Sequence, residues 1–387
     1  MSVMKVLPII CVSLQLAACG EASHQDKAVS DVGTASANDN GSHVLNMYNW
    51  GDYVDPKILT AFTDQYHIKI RQDLFDSNEV LEAKVLTGKS GYDLVYPSLS
   101  NLGRQIRAGA YQPLDKSKIP NYKNIDPALL RLLDQVDPGN KYAVPYFWGI
   151  YTVGINPEQV KKALGTDKLP ENEWDLVFNP EYTRKLKSCG ISYVDSPTSV
   201  LPLALSYIGK DPNSNNAADL KAAAQMISKV VPDIRRFNTS GYINDFAQGS
   251  LCVGIGYNGD FNIANTRAKA AKNGVTVQAL VPKQGVGVWI DTMVIPADAK
   301  NVDNALKYIN WTLEPKIAAQ NADFVTYAPG TKLAKQYMNQ AVVANDSVFP
   351  SESVLARSFV NKEKQPDTVK LAVRLWQQIK SNTVAKQ

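Results

Sequence analysis

Val44-Leu45-Asn46-Met47-Tyr48-Asn49-Trp50 reads as a strand, and Gly51-Asp52-Tyr53 follows it as a polar-aromatic turn. Asp55-Pro56 then opens a helix that carries Ile58, Leu59, Phe62 and Tyr66 on one face. Ile68 to Gln72 alternates as the next strand. Asp76 to Glu79 has capping-box spacing ahead of a helix with Val80, Leu81 and Leu86 that ends at Gly88. Tyr92 to Pro97 is a further strand, with Ser98 at its carboxyl end. Strands alternating with helices at this spacing imply βαβ units, so the expected class is α/β with mixed, mainly parallel sheets.

The pattern continues outward from this segment. Lys141 to Asn156 is an extended aromatic run that could cross from one lobe to another. After Trp174 the alternation restarts, with a strand near Ile191 to Val194, a helix near Val200 to Ile208, a polar loop at Asp211 to Asn216 and an Ala-rich helix. Leu251 to Gly256 then forms a short apolar strand. It breaks at Tyr257-Asn258-Gly259-Asp260, which is expected to be a loop before a basic helix with Arg267, Lys269 and Lys272. Open α/β sheets place their ligands at strand carboxyl ends, where this turn sits. In Trp289-Ile290-Asp291, strand alternation puts Trp289 and Asp291 on one face and Ile290 on the other. Two carboxylates and two rings, Tyr257 with Asp260 and Trp289 with Asp291, suit a ligand that is both cationic and apolar. Asp260 alone could equally be a helix cap, and Trp289 alone could be core packing.

The chain has 387 residues, 44% of them hydrophobic, enough for a substantial core divided into two lobes. A formal charge of +4, interspersed along this length, gives no sign of a nucleic-acid partner. Met1 to Ala18 has Lys5 and an apolar run from Val6 to Leu16, the form of an export signal and too short for a mature membrane span. Leu16-Ala17-Ala18-Cys19 is similar to the lipobox of bacterial lipoproteins, in which Cys19 would be lipidated; the other reading is a plain cleaved signal with an incidental cysteine. Residues 19–43 then form a flexible tether of small and polar side chains after the anchoring cysteine. Cys189 and Cys252 remain in the body. Export favours a disulfide between them over two separate buried thiols.

At Asn49-Trp50-Gly51-Asp52-Tyr53, Phe75 to Glu82, Tyr92 to Ser98, Pro113 to Lys118, Lys187 to Gly190, Gly209 to Ser214, Tyr242 to Asp245 and Pro296 to Lys300, the chain resembles the polyamine-binding components of bacterial ABC transporters. The putrescine-binding type is the nearest in pattern, and the resemblance runs from Val44 to the end. It implies a two-lobed periplasmic binding protein of type II with a hinge, lobe 1 being residues 44–148 with 271–326 and lobe 2 residues 149–270 with 327–387. It further implies that the loop Trp50, Gly51, Asp52 and Tyr53 supplies a ring and polar contacts, and that Ser98 hydrogen-bonds an amine. Asp260 and Asp291 would hold ammonium groups, and Tyr257, Trp289 and Tyr327 would wall the methylene chain.

The sequence departs from the putrescine-binding pattern at several points. Gly51 stands where serine is usual, Tyr257 replaces a tryptophan, and Ser196-Pro197-Thr198-Ser199 lacks an acid. Trp289 matches spermidine-preferring relatives, so spermidine is expected at least to compete.

The implied partners are a putrescine or spermidine ligand, an ABC permease and, through the lipid anchor, a membrane. A periplasmic monomer without cofactor or metal is expected. Of three histidines, His24 and His43 fall in the tether and His67 in a helix-to-strand turn, so no catalytic triad or zinc site is expected and the chain is not read as an enzyme. A polyamine sensor reporting to a membrane receptor would use the same binding chemistry.

Overall fold

The computed structural model describes residues 43–384; the stretch read as an export signal, Cys19 and most of the expected tether lie outside the described residues. One sheet contains β1 (Val44–Trp50), β2 (Lys69–Phe75), β3 (Leu94–Val95), β4 (Ala143–Ile155), β5 (Ile191–Tyr193), β6 (Ile234–Phe237), β7 (Val253–Tyr257), β8 (Gln278–Ala279), β9 (Gly287–Val294), β10 (Ala328–Pro329) and β11 (Phe359–Val360). The main order is β2-β1-β3-β9-β4-β7-β5-β6, with β8 and β10 paired to β4 and β11 to β9. The fold is two-lobed α/β. At one end β1 pairs in parallel with β2 and β3, and at the other β5 pairs in parallel with β6 and β7. The centre is antiparallel, through β3 with β9, β9 with β4, and β4 with β7.

β4 and β9 carry this connection because they are long and almost wholly buried. The start of β4 at Ala143 pairs with Val294, the residue of β9 that also meets β3. Its far end, Tyr151 to Ile155, pairs with β7, while Gly154 and Ile155 also pair with β8. Strand alternation holds in β9: Ile290 and Val294 join a smaller core with Tyr48, Leu81 and Leu102, while Trp289 and Met293 face the larger one.

Local chemistry sets the helix starts. In the helix Pro56–Tyr66, Asp55 accepts the Lys57 amide at 2.9 Å, Pro56 needs no amide partner, and His67 ends the helix at φ 54°. Its Ile58 and Phe62 are buried, each burial worth about 1.5–3 kcal/mol, and Phe62 packs against Tyr308 and Trp311.

Two sequence expectations need correction. The helix Asn78–Val85 is capped by Ser77, which accepts the Val80 amide at 3.3 Å, and not by a box starting at Asp76; it stops at Val85, ahead of Gly88. Tyr257 to Asp260 is not a loop either, because Tyr257 ends β7 and the helix Asn258–Ala271 begins at once. Cys189 and Cys252 form a disulfide with Cα atoms 5.4 Å apart. It sits just before the neighbouring strands β5 and β7, whose Ile191 and Val253 are in register.

Candidate functional site

A cavity of about 470 Å³ opens where the parallel ends meet the antiparallel centre, and it is lined by Trp50, Gly51, Asp52, Tyr53, Ser98, Tyr257, Asp260, Trp289, Asp291 and Tyr327. All ten side positions singled out from sequence are therefore brought together. Trp50 to Tyr53 leave the carboxyl end of β1, Ser98 follows β3, Tyr257 and Asp260 lie at the junction of β7 with its helix, and Trp289 and Asp291 project from mid-β9.

Asp291 accepts from the Ser98 hydroxyl at 2.6 Å and from the Tyr53 hydroxyl at 3.0 Å. Ser98 is itself fixed by Asn78, whose Nδ2 donates to Ser98 Oγ at 2.9 Å and whose Oδ1 accepts the Ser98 amide at 3.0 Å. Asp260 accepts from Tyr327 at 2.6 Å and from Tyr242 at 2.7 Å. Asp260 caps nothing: it lies inside the first helical turn with both oxygens held by phenols. Burial raises the Asp291 pKa to about 7, against the pull of the Ser98 and Tyr53 hydroxyls. Burial likewise raises Asp260 to about 6, opposed by Tyr327 and Tyr242 and reinforced by the charge of Asp52. The hydroxyls of Tyr53, Tyr242 and Tyr327 are pushed well above their ordinary range by burial and by these acids, so they remain donors at neutral pH.

Neither acid has a lysine or arginine partner among the described residues. Arg267, the cation that acts on Asp260, donates instead to Asp52 at 2.7 Å. Both members of that pair are over a third exposed, so it contributes about 0.2–1 kcal/mol.

Tyr257, Trp289, Tyr327 and Tyr53 form a continuous wall, with Trp50 set apart from it. Trp289 meets Tyr327 edge-on at 4.8 Å and Tyr257 at 6.1 Å; Tyr53 meets Tyr327 at 5.6 Å; Trp50 leans on Phe75 and donates its indole N–H to the Tyr96 carbonyl at 2.9 Å. Two glycines make room for this wall. A Cβ on Gly149 would come within 2.4 Å of the Trp289 ring, and one on Gly259 within 2.5 Å of the Tyr327 ring. Hydroxyl-held acids beside ring faces can receive a cation, by charge and by cation–π attraction, while covering attached methylenes.

Sequence reasoning missed Tyr242, Asn78, Gly149, Gly259 and the lining residues Tyr151, Asp76 and Ile243. Asn78 and Tyr242 had a signal only as parts of quoted motifs; Gly149 had none, since its neighbour Trp289 is distant in sequence. Among the described residues no group of three or more potential ligands could hold a metal, and no helix is long and apolar enough to cross a membrane.

Two lobes joined by long crossing strands, with an acid- and ring-lined cavity where they meet, define the class of two-lobed solute-binding proteins. Residues 57–351 match the profile of bacterial extracellular solute-binding proteins, and the chain belongs to this family, which binds solutes and is not a family of enzymes. It is 46% identical over 354 residues to the putrescine-binding periplasmic protein SpuD of Pseudomonas aeruginosa, covering 92% of this chain and 96% of the relative. It is 44% identical over 351 residues to the putrescine-binding periplasmic protein PotF of Escherichia coli, covering 90% and 94%. Among solved structures, the spermidine/putrescine ABC transporter substrate-binding protein PotD of Streptococcus pneumoniae superposes with a TM-score of 0.70 at 30% identity, covering 88% of this chain and 100% of that one. The TpPotD lipoprotein of Treponema pallidum superposes with a TM-score of 0.72 at 27% identity, covering 87% and 99%.

Proposed function

We propose that this protein captures a linear polyamine, putrescine or spermidine, between its two lobes and delivers it to an ABC permease. The observation that carries the reading is the pair Asp260 and Asp291, two enclosed acids held only by hydroxyls and walled by aromatic rings. An enclosed charge without a partner is costly, by about 3–5 kcal/mol where it has been measured, and two ammonium groups joined by methylenes meet that need at both acids. Trp50, Tyr53, Tyr257, Trp289 and Tyr327 cover the hydrocarbon, Ser98 orients Asp291, and Gly51 and Asp52 complete the rim. The names of the 46% and 44% identical relatives support a putrescine ligand, while Trp289 favours acceptance of spermidine as well.

In this reading the expected lobes, residues 44–148 with 271–326 and residues 149–270 with 327–387, are kept except at the boundary between 270 and 271. The pairing of β8 with Gly154 and Ile155 favours a second crossing within β9 over one at 270/271. Ligand bridging the lobes favours the closed form through its better contacts there. Export to the periplasm with a lipid on Cys19, and action as a monomer, belong to the same proposal. The lipobox-like Leu16 to Cys19 and the lipoprotein nature of the Treponema relative support the anchor.

Calorimetry of the mature protein against cadaverine, putrescine, spermidine and spermine tests the function. Saturable binding of at least one at one site is expected; no heat with any of the four would overturn it.

A further inference from the structure

Tyr242 is 1% exposed and stands outside the cavity lining, at the start of the helix Tyr242–Ala247. Its ring packs edge-on against Phe246 and Phe261, with centroids 6.3 and 5.6 Å away. It passes β7 at Gly256, where a Cβ would lie 2.6 Å from both the ring edge and the hydroxyl. Any larger residue at that position would push the phenol aside. The hydroxyl thereby reaches two groups at once: the Tyr257 amide donates to it at 3.0 Å, and it donates to Asp260 Oδ2 at 2.7 Å.

Together the two contacts leave the phenol one arrangement. An amide N–H can only donate, so the phenol oxygen accepts there and its single hydrogen goes to Asp260. A proton on Oδ2 would confront that hydrogen, so the contact favours the ionised carboxylate. Tyr327 differs: it donates to Oδ1 at 2.6 Å but itself lines the cavity, where a ligand can meet its ring. The other titratable groups that act on Asp260 or feel its charge are Asp52, Arg267, Tyr53 and Tyr257. Asp52 raises the acid's pKa and Arg267 lowers it, and the two are paired with each other, so their effects oppose. Burial is the largest influence on Asp260, and the two phenols are its main counterweight.

We propose that Tyr242 is a positioning residue for ammonium capture: from behind the cavity wall it holds Asp260 ionised and registers that carboxylate against the backbone of Tyr257, the adjoining wall ring. It never meets the ligand and acts through Asp260. This rests on the reading of Asp260 as a seat for an ammonium group. It explains how so enclosed an acid remains ionised for a cation near neutral pH.

The test compares wild type, Tyr242→Phe, Asp260→Asn and the double variant by calorimetry with putrescine and spermidine across pH, with melting curves to verify folding. A ligand-free NMR titration of the Asp260 carboxyl carbon accompanies it. Losing the donor removes a preference for the charged form, so the Asp260 midpoint should rise by about one unit in Tyr242→Phe. That variant should bind about three- to tenfold more weakly at about pH 6 and return to within about twofold of wild type at about pH 8.5, since Asp291 titrates alike in both. The difference should vanish in the Asp260→Asn background. Should Tyr242→Phe melt too low, meta-fluorotyrosine at position 242, a stronger donor that keeps both hydrogen bonds, should move the midpoint downward. A deficit equal at every pH, an unmoved Asp260 midpoint, or a pH-dependent deficit that survives Asp260→Asn would overturn the role. Wild type that binds neither amine would remove the polyamine reading itself, and the ligand-free midpoint separates that failure from this one.

Discussion

At the scale of single residues, the proposed function rests on Asp260 and Asp291. Each carboxylate is held by two hydroxyls, which fix its direction without neutralising it. Asp260→Asn and Asp291→Asn should each weaken polyamine binding by about 1.5–3 kcal/mol, roughly tenfold to a hundredfold, with the fold retained. Titration calorimetry beside circular dichroism checks both halves of that statement. The acids also set a pH dependence. With ligand-free pKa values near 6 and 7, both are partly protonated below neutrality, whereas a bound dication requires both ionised. Binding must therefore release protons, and affinity should fall as pH drops through this window. Between about pH 8 and about pH 5.5 the dissociation constant should rise by about tenfold to a hundredfold. A flat profile, or equal heats in buffers of different ionisation enthalpy, would contradict it. Asp291 was legible because period two tied it to Trp289; Asp260 was ambiguous with a cap, and only the two phenols, one of them the unforeseen Tyr242, resolve it.

At the scale of elements, the site depends on how strands feed helices. Because β7 runs straight into the helix Asn258–Ala271, Asp260 sits on a rigid first turn and not on a mobile loop. Gly259 lets the Tyr327 ring lie against that turn, with the Val325 carbonyl 2.6 Å from where a Cβ would be. Gly259→Ala should therefore displace Tyr327 and loosen its bond to Asp260, costing about 1–3 kcal/mol in stability and weakening ligand capture. A melt and a titration of the variant read both effects; wild-type values in both would show that the close approach is dispensable. The helix starting at Pro56 was legible because Asp55, Pro56 and the face of Ile58 and Phe62 agree. The cap at Ser77 was misread because Asp76 and Ser77 are both good caps one residue apart, and backbone geometry chose between them. The strand read over Tyr92 to Pro97 is real but shorter, Leu94–Val95, whereas the two-residue strands β8, β10 and β11 are too short to show a period and their partners lie far away in sequence.

At the scale of the molecule, the parallel ends follow from the βαβ rhythm of Val44 to Ser98, which the sequence displays. The antiparallel crossing of β4 and β9 is another matter: an apolar run shows burial but not its partner, so the centre of the sheet was hidden. The disulfide closes a separation of 63 residues and lies at the amino ends of β5 and β7, opposite the carboxyl ends that face the cavity. On the chain-entropy account it contributes about 4 kcal/mol. Reduction should thus lower the melting temperature by several degrees while polyamine affinity at room temperature stays as it was; a parallel loss of affinity would mean that the bond shapes the site.

The central claim is that a polyamine spans Asp260 and Asp291 inside the ring-walled cavity, and the crystal structure of the putrescine complex tests it most directly. The account predicts one ammonium nitrogen within about 3 Å of each carboxylate, with the methylenes against Trp289 and Tyr327. Putrescine lodged elsewhere, with both acids turned to solvent, would contradict it.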